Sequence, residues 1–219
     1  LPPRLFPSNV SFHELNIINP LAAVELTESF DVVHIRLLFY HICVIFCGCL
    51  LFPQPSTQIP EKDIHAVLEN ATRLLKPNGW LLIEDCGKHL GHESSKGPAM
   101  ATFEEMYIGM LRSKGLDPII GEHLEQHVRE LNCYSEINTN CVGLILTTDQ
   151  QRAGSTPELR SLSNALRVTI DRIAMGNIGE DMKSAGLTPE LQKAWAEERN
   201  GPAFQNTFDF WFVWSRKKI

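Results

Sequence analysis

The stretch "DIHAVLENATRLLKPNGWLLIEDC", which runs from Asp63 to Cys86, decides the fold class. Its first half repeats apolar residues at i, i+3 and i+4, which predicts a helix with one apolar face and Asp63 as its N-cap. Pro77 and Gly79 break that helix in a turn, and the apolar "WLLIEDC" that follows predicts a buried strand. A helix joined by a tight turn to such a strand is half of a βαβ unit, so the stretch predicts a parallel sheet.

The remaining elements are arranged around this unit. Upstream, "FDVVHIR" from Phe30 to Arg36 is apolar and β-branched, as a strand buried in a parallel sheet should be. Downstream we predict four helices, the last of them with Thr188 as its N-cap and Pro189 at its first position. The predicted helices cover residues 99–113, 118–131, 158–175 and 189–199, and further strands cover residues 9–15, 133–148 and 206–218. With no internal repeat, residues 1–219 are predicted to form a single α/β domain.

Composition narrows the class of protein. The chain has 219 residues, of which 43% are hydrophobic and 21% charged, as is ordinary for a soluble globular domain. A net charge of -6 argues against a nucleic-acid partner, which normally requires a basic surface. The six cysteines form no C-x-x-C pair and no secretory leader pattern precedes them. We therefore interpret them as reduced thiols of an intracellular protein, cytoplasmic or nuclear.

The order of "FDVVHIR", a helix ending in "RLLKPNGW", and "LLIEDC" resembles class I S-adenosylmethionine-dependent methyltransferases. Within that class it is most similar to the LaeA-like fungal methyltransferases, which are associated with the control of secondary metabolism. The most specific piece is "RLLKPNG" before an apolar strand, and the loop at Gly154 and the aromatic final strand agree with it. The resemblance implies a Rossmann-like sheet that is mostly parallel with one late antiparallel strand, and helices on both faces.

The sequence also departs from that family. Residues 9–15 match the family's third strand, so the first strand and its glycine-rich loop are absent and the chain is expected to be N-terminally truncated. No G-x-G sequence occurs. In the family, backbone amides of that loop approach the cofactor, and glycine is required because a side chain would block the approach. We therefore expect a methyltransferase by family whose own activity is weakened, or alternatively a non-catalytic domain that acts as a protein-interaction module.

The resemblance implies three cofactor contacts for S-adenosylmethionine. Asn16 lies where the family often has an Asp that accepts a hydrogen bond from the adenine amino group, and Ile17 would pack against the ring. An amide oxygen can accept that bond without the charge of a carboxylate. His34 lies near the end of the strand at which the methyl donor and its acceptor would meet. Alternatively, Asn16 is only a turn residue.

Three further residues are candidates for binding the methyl acceptor, namely Arg36, Glu84 and Asp85 at the ends of the two predicted strands. Alternatively, Arg36 is a solvated charge and His34 packs beside it. Methyl transfer requires little acid–base chemistry, since positioning supplies much of the rate. A general base matters only where the acceptor must lose a proton. The sequence identifies neither the catalytic residues nor the acceptor, which is a small molecule or a protein.

Residues 39–58 form an atypical hydrophobic insertion, because the run from Leu37 to Phe52 carries no formal charge. Three explanations remain: a translated intron, a transmembrane helix, and a real insertion that packs on the domain or contacts a partner. The run would rise only about 24 Å as a helix, short of the roughly 30 Å hydrocarbon core of a membrane. The return to ordinary composition after Gln58 favours the intron.

Two other patterns are assigned structural roles. His123 and His127 are spaced i, i+4, but "HLEQH" lacks the glutamate of the H-E-x-x-H zinc motif, and no metal site is expected there or at His89 and His92. In "FDFWFVWS" we place Phe208, Phe210, Phe212 and Trp214 on a core face. Asp209 and Ser215 fall on the other face, where Trp211 needs cover from a helix.

Overall fold

The computed structural model describes residues 17–19, 26–39, 59–87, 97–149, 154, 156–175, 180–202 and 204–219. The strand predicted at residues 9–15 lies outside them. The strands are β1 (Phe30–Arg36), β2 (Leu75–Cys86), β3 (Tyr134–Thr147) and β4 (Gln205–Lys217). The helices are α1 (Glu61–Leu74), α2 (Pro98–Ser113), α3 (Ile120–Glu130), α4 (Pro157–Met175), α5 (Glu180–Ser184) and α6 (Pro189–Asn200).

The four strands form one sheet in the order β1-β2-β4-β3. β1 pairs with β2 in parallel, whereas β4 pairs antiparallel with β2 on one side and with β3 on the other. β1, β2 and β3 therefore run in one direction, and β4, the last strand in the sequence, runs against them. This confirms the predicted α/β class and the single late antiparallel strand.

Helix α1 has the predicted apolar face, but its start was predicted incorrectly. Ile64 and Val67 are buried against the sheet. The helix begins at Glu61, and the backbone N–H of Asp63 donates to the carbonyl oxygen of Pro60 at 2.8 Å, so Asp63 lies inside the first turn and is not the N-cap. Ile59 is buried in the core and fixes where the chain enters the helix. The helix therefore begins at Glu61, two residues before the predicted N-cap.

The "KPNG" turn is present but lies within the limits of β2. Asn78 adopts a left-handed backbone conformation with φ 65°, and the register with β1 shifts between Phe30 and Val32. A Cβ atom on Gly79 would lie 3.0 Å from the carbonyl oxygen of Lys76, so the chain has little space for a side chain here. Regular pairing then starts at Trp80, the predicted beginning of the strand.

Part of the main core lies on the face of the sheet that α1 and α3 cover. Ile35, Leu81, Ile83 and Val213 are buried there and belong to one apolar cluster with α1 and α3. Ser215 lies on this face, opposite Phe212 and Trp214 as predicted, but it is completely buried, so this side of β4 is a core face as well. The two helices cover that face.

The opposite face of β4 has a more uneven environment. Phe208 is completely buried, but Phe212 and Trp214 are only half-buried. Trp211, by contrast, lies on the same face as Val213 and Ser215 and has the helical cover there that was predicted, since a Cβ atom on Gly121 of α3 would lie 2.5 Å from the Cδ1 atom of Trp211.

A smaller core joins α2 to α6. Trp195 is buried against Ala99 and Met100, and the Glu198 carboxylate accepts backbone N–H bonds from Ala99 at 2.9 Å and Met100 at 2.7 Å. The free N–H groups at a helix N-terminus favour a negative charge, so Glu198 of α6 caps α2. The predicted cap of α6 is confirmed, because Thr188 Oγ1 accepts the N–H of Leu191 at 3.2 Å.

Replacing Glu198 by alanine is expected to lower the free energy of unfolding by about 2 kcal/mol, because two charge-assisted bonds at the start of α2 are lost. Urea denaturation followed by circular dichroism measures the change. The control is Glu197→Ala, whose side chain is 69% exposed and lies on the same helix. Equal losses in the two variants would contradict the capping role of Glu198.

Among the residues that the structure describes, none of the helices combines the length and apolarity that a bilayer span requires. The apolar run from Leu37 to Phe52 lies outside the described residues beyond Phe39.

Candidate functional site

The carboxyl ends of β1 and β2 meet at one edge of the sheet, the position at which open α/β sheets bind ligands. Arg36 ends β1 and is the direct cross-strand partner of Glu84 on β2. His34 lies two residues before Arg36 and therefore points to the same face. His34 was predicted as a cofactor contact and Arg36 and Glu84 as acceptor contacts. In the structure the three side chains lie together.

Glu84 joins the two basic side chains. Its Oε1 atom lies 3.0 Å from His34 Nε2, and its Oε2 atom lies 3.2 Å from Arg36 Nε. The side chains are partly open to solvent, with exposed fractions of 43% for His34, 30% for Glu84 and 70% for Arg36. Exposed ion pairs contribute little to stability. The His34–Glu84–Arg36 cluster therefore mainly orients an imidazole and a guanidinium at the carboxyl edge of the sheet.

Asp85 does not belong to this cluster, because adjacent residues of a strand point to opposite faces. Its side chain is completely buried. The Oδ2 atom accepts the backbone N–H of Phe39 at 2.8 Å, and the Oδ1 atom accepts that of Cys86 at 2.8 Å. Asp85 thus fixes the chain that leaves β1 to the end of β2, and it acts on the edge through the backbone.

The chain turns sharply after β1. Leu37 has φ 50°, and its N–H donates to the carbonyl oxygen of Glu84 at 2.7 Å. Phe39, the first residue of the predicted insertion, is buried in the main core and bonded to Asp85. The connection therefore leaves the edge with its first residues fixed by β2, while residues 40–58 lie outside the described part of the chain.

Cys86 closes β2, and its Sγ atom lies 3.8 Å from Asp85 Oδ1. Burial and the adjacent Asp85 carboxylate raise the pKa of the Cys86 thiol far above its usual range. The thiolate is the nucleophilic form of cysteine. Cys86 therefore remains a protonated, apolar core residue at neutral pH.

Of the predicted adenine contacts, Asn16 lies outside the described residues and Ile17 is held against α1. The side-chain amide of Asn70 donates to the carbonyl oxygens of Ile17 at 2.8 Å and Asn19 at 2.9 Å. The hydrogen bond described for Ile17 joins it to Asn70 of α1, and none of the described bonds joins Ile17 to His34. Asn70 itself was not selected from the sequence, although a polar residue in the apolar spacing of α1 signals a buried polar contact.

The histidines of α3 make local contacts. His123 Nδ1 lies 2.6 Å from Asp117 Oδ2, and burial lowers the pKa of His127. In the described ranges no group of three or more His, Cys, Asp and Glu side chains is arranged to hold a metal ion. His89 and His92 lie outside those ranges.

The sheet defines a Rossmann-like α/β domain whose carboxyl edge carries the charged side chains of His34, Glu84 and Arg36. A family model described as a methyltransferase domain matches residues 3–150, which is more than half of the chain. The chain belongs to this family, whose fold is that of class I S-adenosylmethionine-dependent methyltransferases.

Two curated fungal relatives come from Strobilurus tenacellus. The chain is 26% identical to methyltransferase str2 over 199 residues and 28% identical to methyltransferase str3 over 166 residues. These alignments cover 90% and 75% of this chain. The chain spans only 63% of the length of str2 and 52% of the length of str3.

Two solved structures show low similarity. Loganic acid methyltransferase with SAH is 13% identical with a TM-score of 0.42, and the match covers 98% of this chain and 69% of that one. A phosphoethanolamine N-methyltransferase 2 from Haemonchus contortus with S-adenosyl-L-methionine is 17% identical with a TM-score of 0.39, covering 88% and 34%.

Proposed function

We propose that this domain binds S-adenosylmethionine at the carboxyl edge of β1 and β2 and transfers its methyl group to an acceptor held there. The observation that carries the proposal is the His34–Glu84–Arg36 cluster at that edge. Within the family we assign the chain to the LaeA-like fungal methyltransferases that act in secondary metabolism, which is in keeping with its two fungal relatives.

The donor set at the edge fits the cofactor. An imidazole and a carboxylate that are partly open to solvent suit the hydroxyl and amino groups of S-adenosylmethionine. We assign His34 to the cofactor side, together with Ile17 and Asn16 as the adenine contacts implied by the family. The cofactor supplies an activated methyl group on a sulfonium sulfur, so the protein's task is to hold the two reactants in line.

Arg36, Glu84 and Asp85 serve the acceptor in two different ways. The Arg36 guanidinium is largely exposed and suits an anionic group of a small molecule or a protein. Glu84 orients Arg36 directly, whereas the buried Asp85 supports the edge through its bond to Phe39. The free thiols of Cys86, Cys133 and Cys141 agree with a reducing, intracellular compartment.

Calorimetric titration with S-adenosylhomocysteine tests the proposal. We expect a saturable one-to-one isotherm. His34→Ala should bind up to about tenfold more weakly, because His34 Nδ1 can accept one hydrogen bond from S-adenosylhomocysteine when no acceptor is present, and one such bond is worth about 1.4 kcal/mol at most. The matched control is His65→Ala, because His65 pairs with Glu69 at 3.5 Å on the exposed face of α1, outside the site. A folded protein that shows no heat of binding would contradict the proposed function.

A second function, a non-catalytic interaction module, is favoured by one observation. Phe30 and Val32 on β1 remain 40% and 49% exposed, although both are large apolar side chains. Exposed apolar side chains that lie together mark interaction sites. The same titration separates the two functions, because an interaction module is expected not to bind S-adenosylhomocysteine.

A further inference from the structure

The geometry points to His34 as the general base for a hydroxyl acceptor, with Glu84 as the residue that positions it. The acceptor class that follows is a phenol or an alcohol that also carries an anionic group. This inference rests on the proposed methyl transfer and adds to it a proton acceptor and a substrate class.

Glu84 fixes the tautomer of His34. The Oε1 atom of Glu84 lies 3.0 Å from His34 Nε2, and an ionised carboxylate can only accept hydrogen bonds. Nε2 therefore carries the ring proton and donates it to Glu84. In the neutral ring the other nitrogen, Nδ1, then has a free lone pair that can take a proton.

Glu84 is itself held in a fixed position. Its other oxygen accepts from Arg36 Nε at 3.2 Å, and the backbones of Arg36 and Glu84 are direct partners in the sheet. The neighbouring side chains on this face of β2 and β4, Leu82 and Phe212, are uncharged. The imidazole is therefore held by one carboxylate whose position is set from two strands, the arrangement that orients a base in other catalytic dyads.

The class of acceptor follows from which nucleophiles need a base. A carboxylic acid is already ionised at neutral pH. An aliphatic amine is protonated at neutral pH, but it loses that proton to water before it attacks with its free electron pair, so neither acceptor needs a base in the transfer step itself. A hydroxyl oxygen becomes a good nucleophile only as it loses its proton. A positioned base is therefore useful for a hydroxyl acceptor, while the exposed Arg36 suits an anionic group on the same molecule.

The transfer moves one proton and one methyl group. The hydroxyl proton moves to His34 Nδ1 as the oxygen forms its bond to the methyl carbon and the bond between that carbon and the sulfonium sulfur breaks. The products are a methyl ether and S-adenosylhomocysteine. The imidazolium donates from Nε2 to Glu84 and then releases its proton to water, which reaches the partly exposed ring.

Nuclear magnetic resonance tests the dyad without turnover. In protein labelled with ¹⁵N at histidine, we expect a hydrogen-bonded proton on His34 Nε2 and an unprotonated Nδ1 in the neutral ring. Glu84→Ala should remove the hydrogen-bonded signal, and Glu84→Gln should restore it in part. The control is Glu69→Ala, beside His65, which should leave His34 unchanged. A proton on Nδ1, or a His34 signal that is the same in Glu84→Ala, would overturn the inference.

A matched set of acceptors tests the chemistry. The probes are 4-hydroxybenzoate, 4-aminobenzoate and benzoate, which share a carboxylate for Arg36 and differ in the nucleophile. With radiolabelled S-adenosylmethionine we expect methylation at the hydroxyl oxygen of 4-hydroxybenzoate, about 100-fold slower in His34→Gln, because general-base catalysis typically contributes at least that factor. His65→Gln is the control.

The outcomes separate the two proposals. If S-adenosylhomocysteine does not bind, the proposed function fails, whereas the resonance experiment still decides whether His34 and Glu84 form the dyad. If S-adenosylhomocysteine binds but 4-hydroxybenzoate is not methylated at its hydroxyl oxygen, the proposed substrate class is wrong. Unchanged rates in His34→Gln would show that His34 is not the base.

Discussion

Replacing Trp195 by alanine is expected to lower the free energy of unfolding by about 4 kcal/mol, the largest effect of any single change proposed for this domain. The side chain is 1% exposed and belongs to the core between α2 and α6. Its ring lies 5.0 Å from the ring of Phe103 and 4.7 Å from the Arg199 guanidinium. The variant loses buried apolar area, a ring contact and a cation–π contact together.

Urea denaturation followed by circular dichroism measures this loss, because the signal does not depend on the removed tryptophan. The control is Lys193→Ala on the same helix, where the side chain is 80% exposed and a change within about 0.5 kcal/mol is expected. A loss below about 1 kcal/mol for Trp195→Ala would show that α2 and α6 do not pack as described.

Asp85→Ala is expected to cost about 3 kcal/mol, because it leaves the backbone N–H groups of Phe39 and Cys86 without their carboxylate acceptor in the core. Asp85→Asn should cost less, since the remaining amide oxygen can accept one of the two bonds. The change should also loosen the connection after β1 and with it the carboxyl edge.

The same denaturation experiment decides this prediction, with Asp31→Ala as the matched control. Asp31 lies on β1, is 83% exposed and pairs with Lys76 at 2.9 Å, so its removal should change stability by less than about 0.5 kcal/mol. Similar losses for the two aspartates would mean that the buried bonds of Asp85 do not stabilise the fold.

The parallel pair and the helix between its strands could be predicted because their sequence patterns are local. Apolar spacing in α1 follows from burial on one helix face, and the apolar run of β2 follows from burial in the sheet. β1 was also predicted to be buried, but only Ile35 is, and Phe30 and Val32 are 40% and 49% exposed. The proximity of His34, Arg36 and Glu84 could also be predicted, because the carboxyl ends of parallel strands lie at the same edge of a sheet. The ion pairs themselves depend on the register of Arg36 with Glu84, which the sequence does not state.

Other features depend on tertiary packing and were missed. Ser215 is polar, but α1 and α3 cover the face on which it lies, so burial overrides its composition. The start of α1 was misplaced because Ile59, and not a side-chain cap, fixes it. The short helix α5, Glu180–Ser184, is too brief for a periodic signal. Glu84 and Asp85 were both predicted to bind the acceptor. Their separate roles follow from strand alternation, which places adjacent side chains on opposite faces.

The central claim is that S-adenosylmethionine binds at the carboxyl edge of β1 and β2. The most direct test is to follow backbone amide resonances while S-adenosylhomocysteine is added. We predict saturable shifts at His34, Arg36 and Glu84, and none at Asp31 and Lys76, which pair at the opposite end of the same two strands. Shifts centred on Asp31 and Lys76, or no shifts at either end, would contradict the claim.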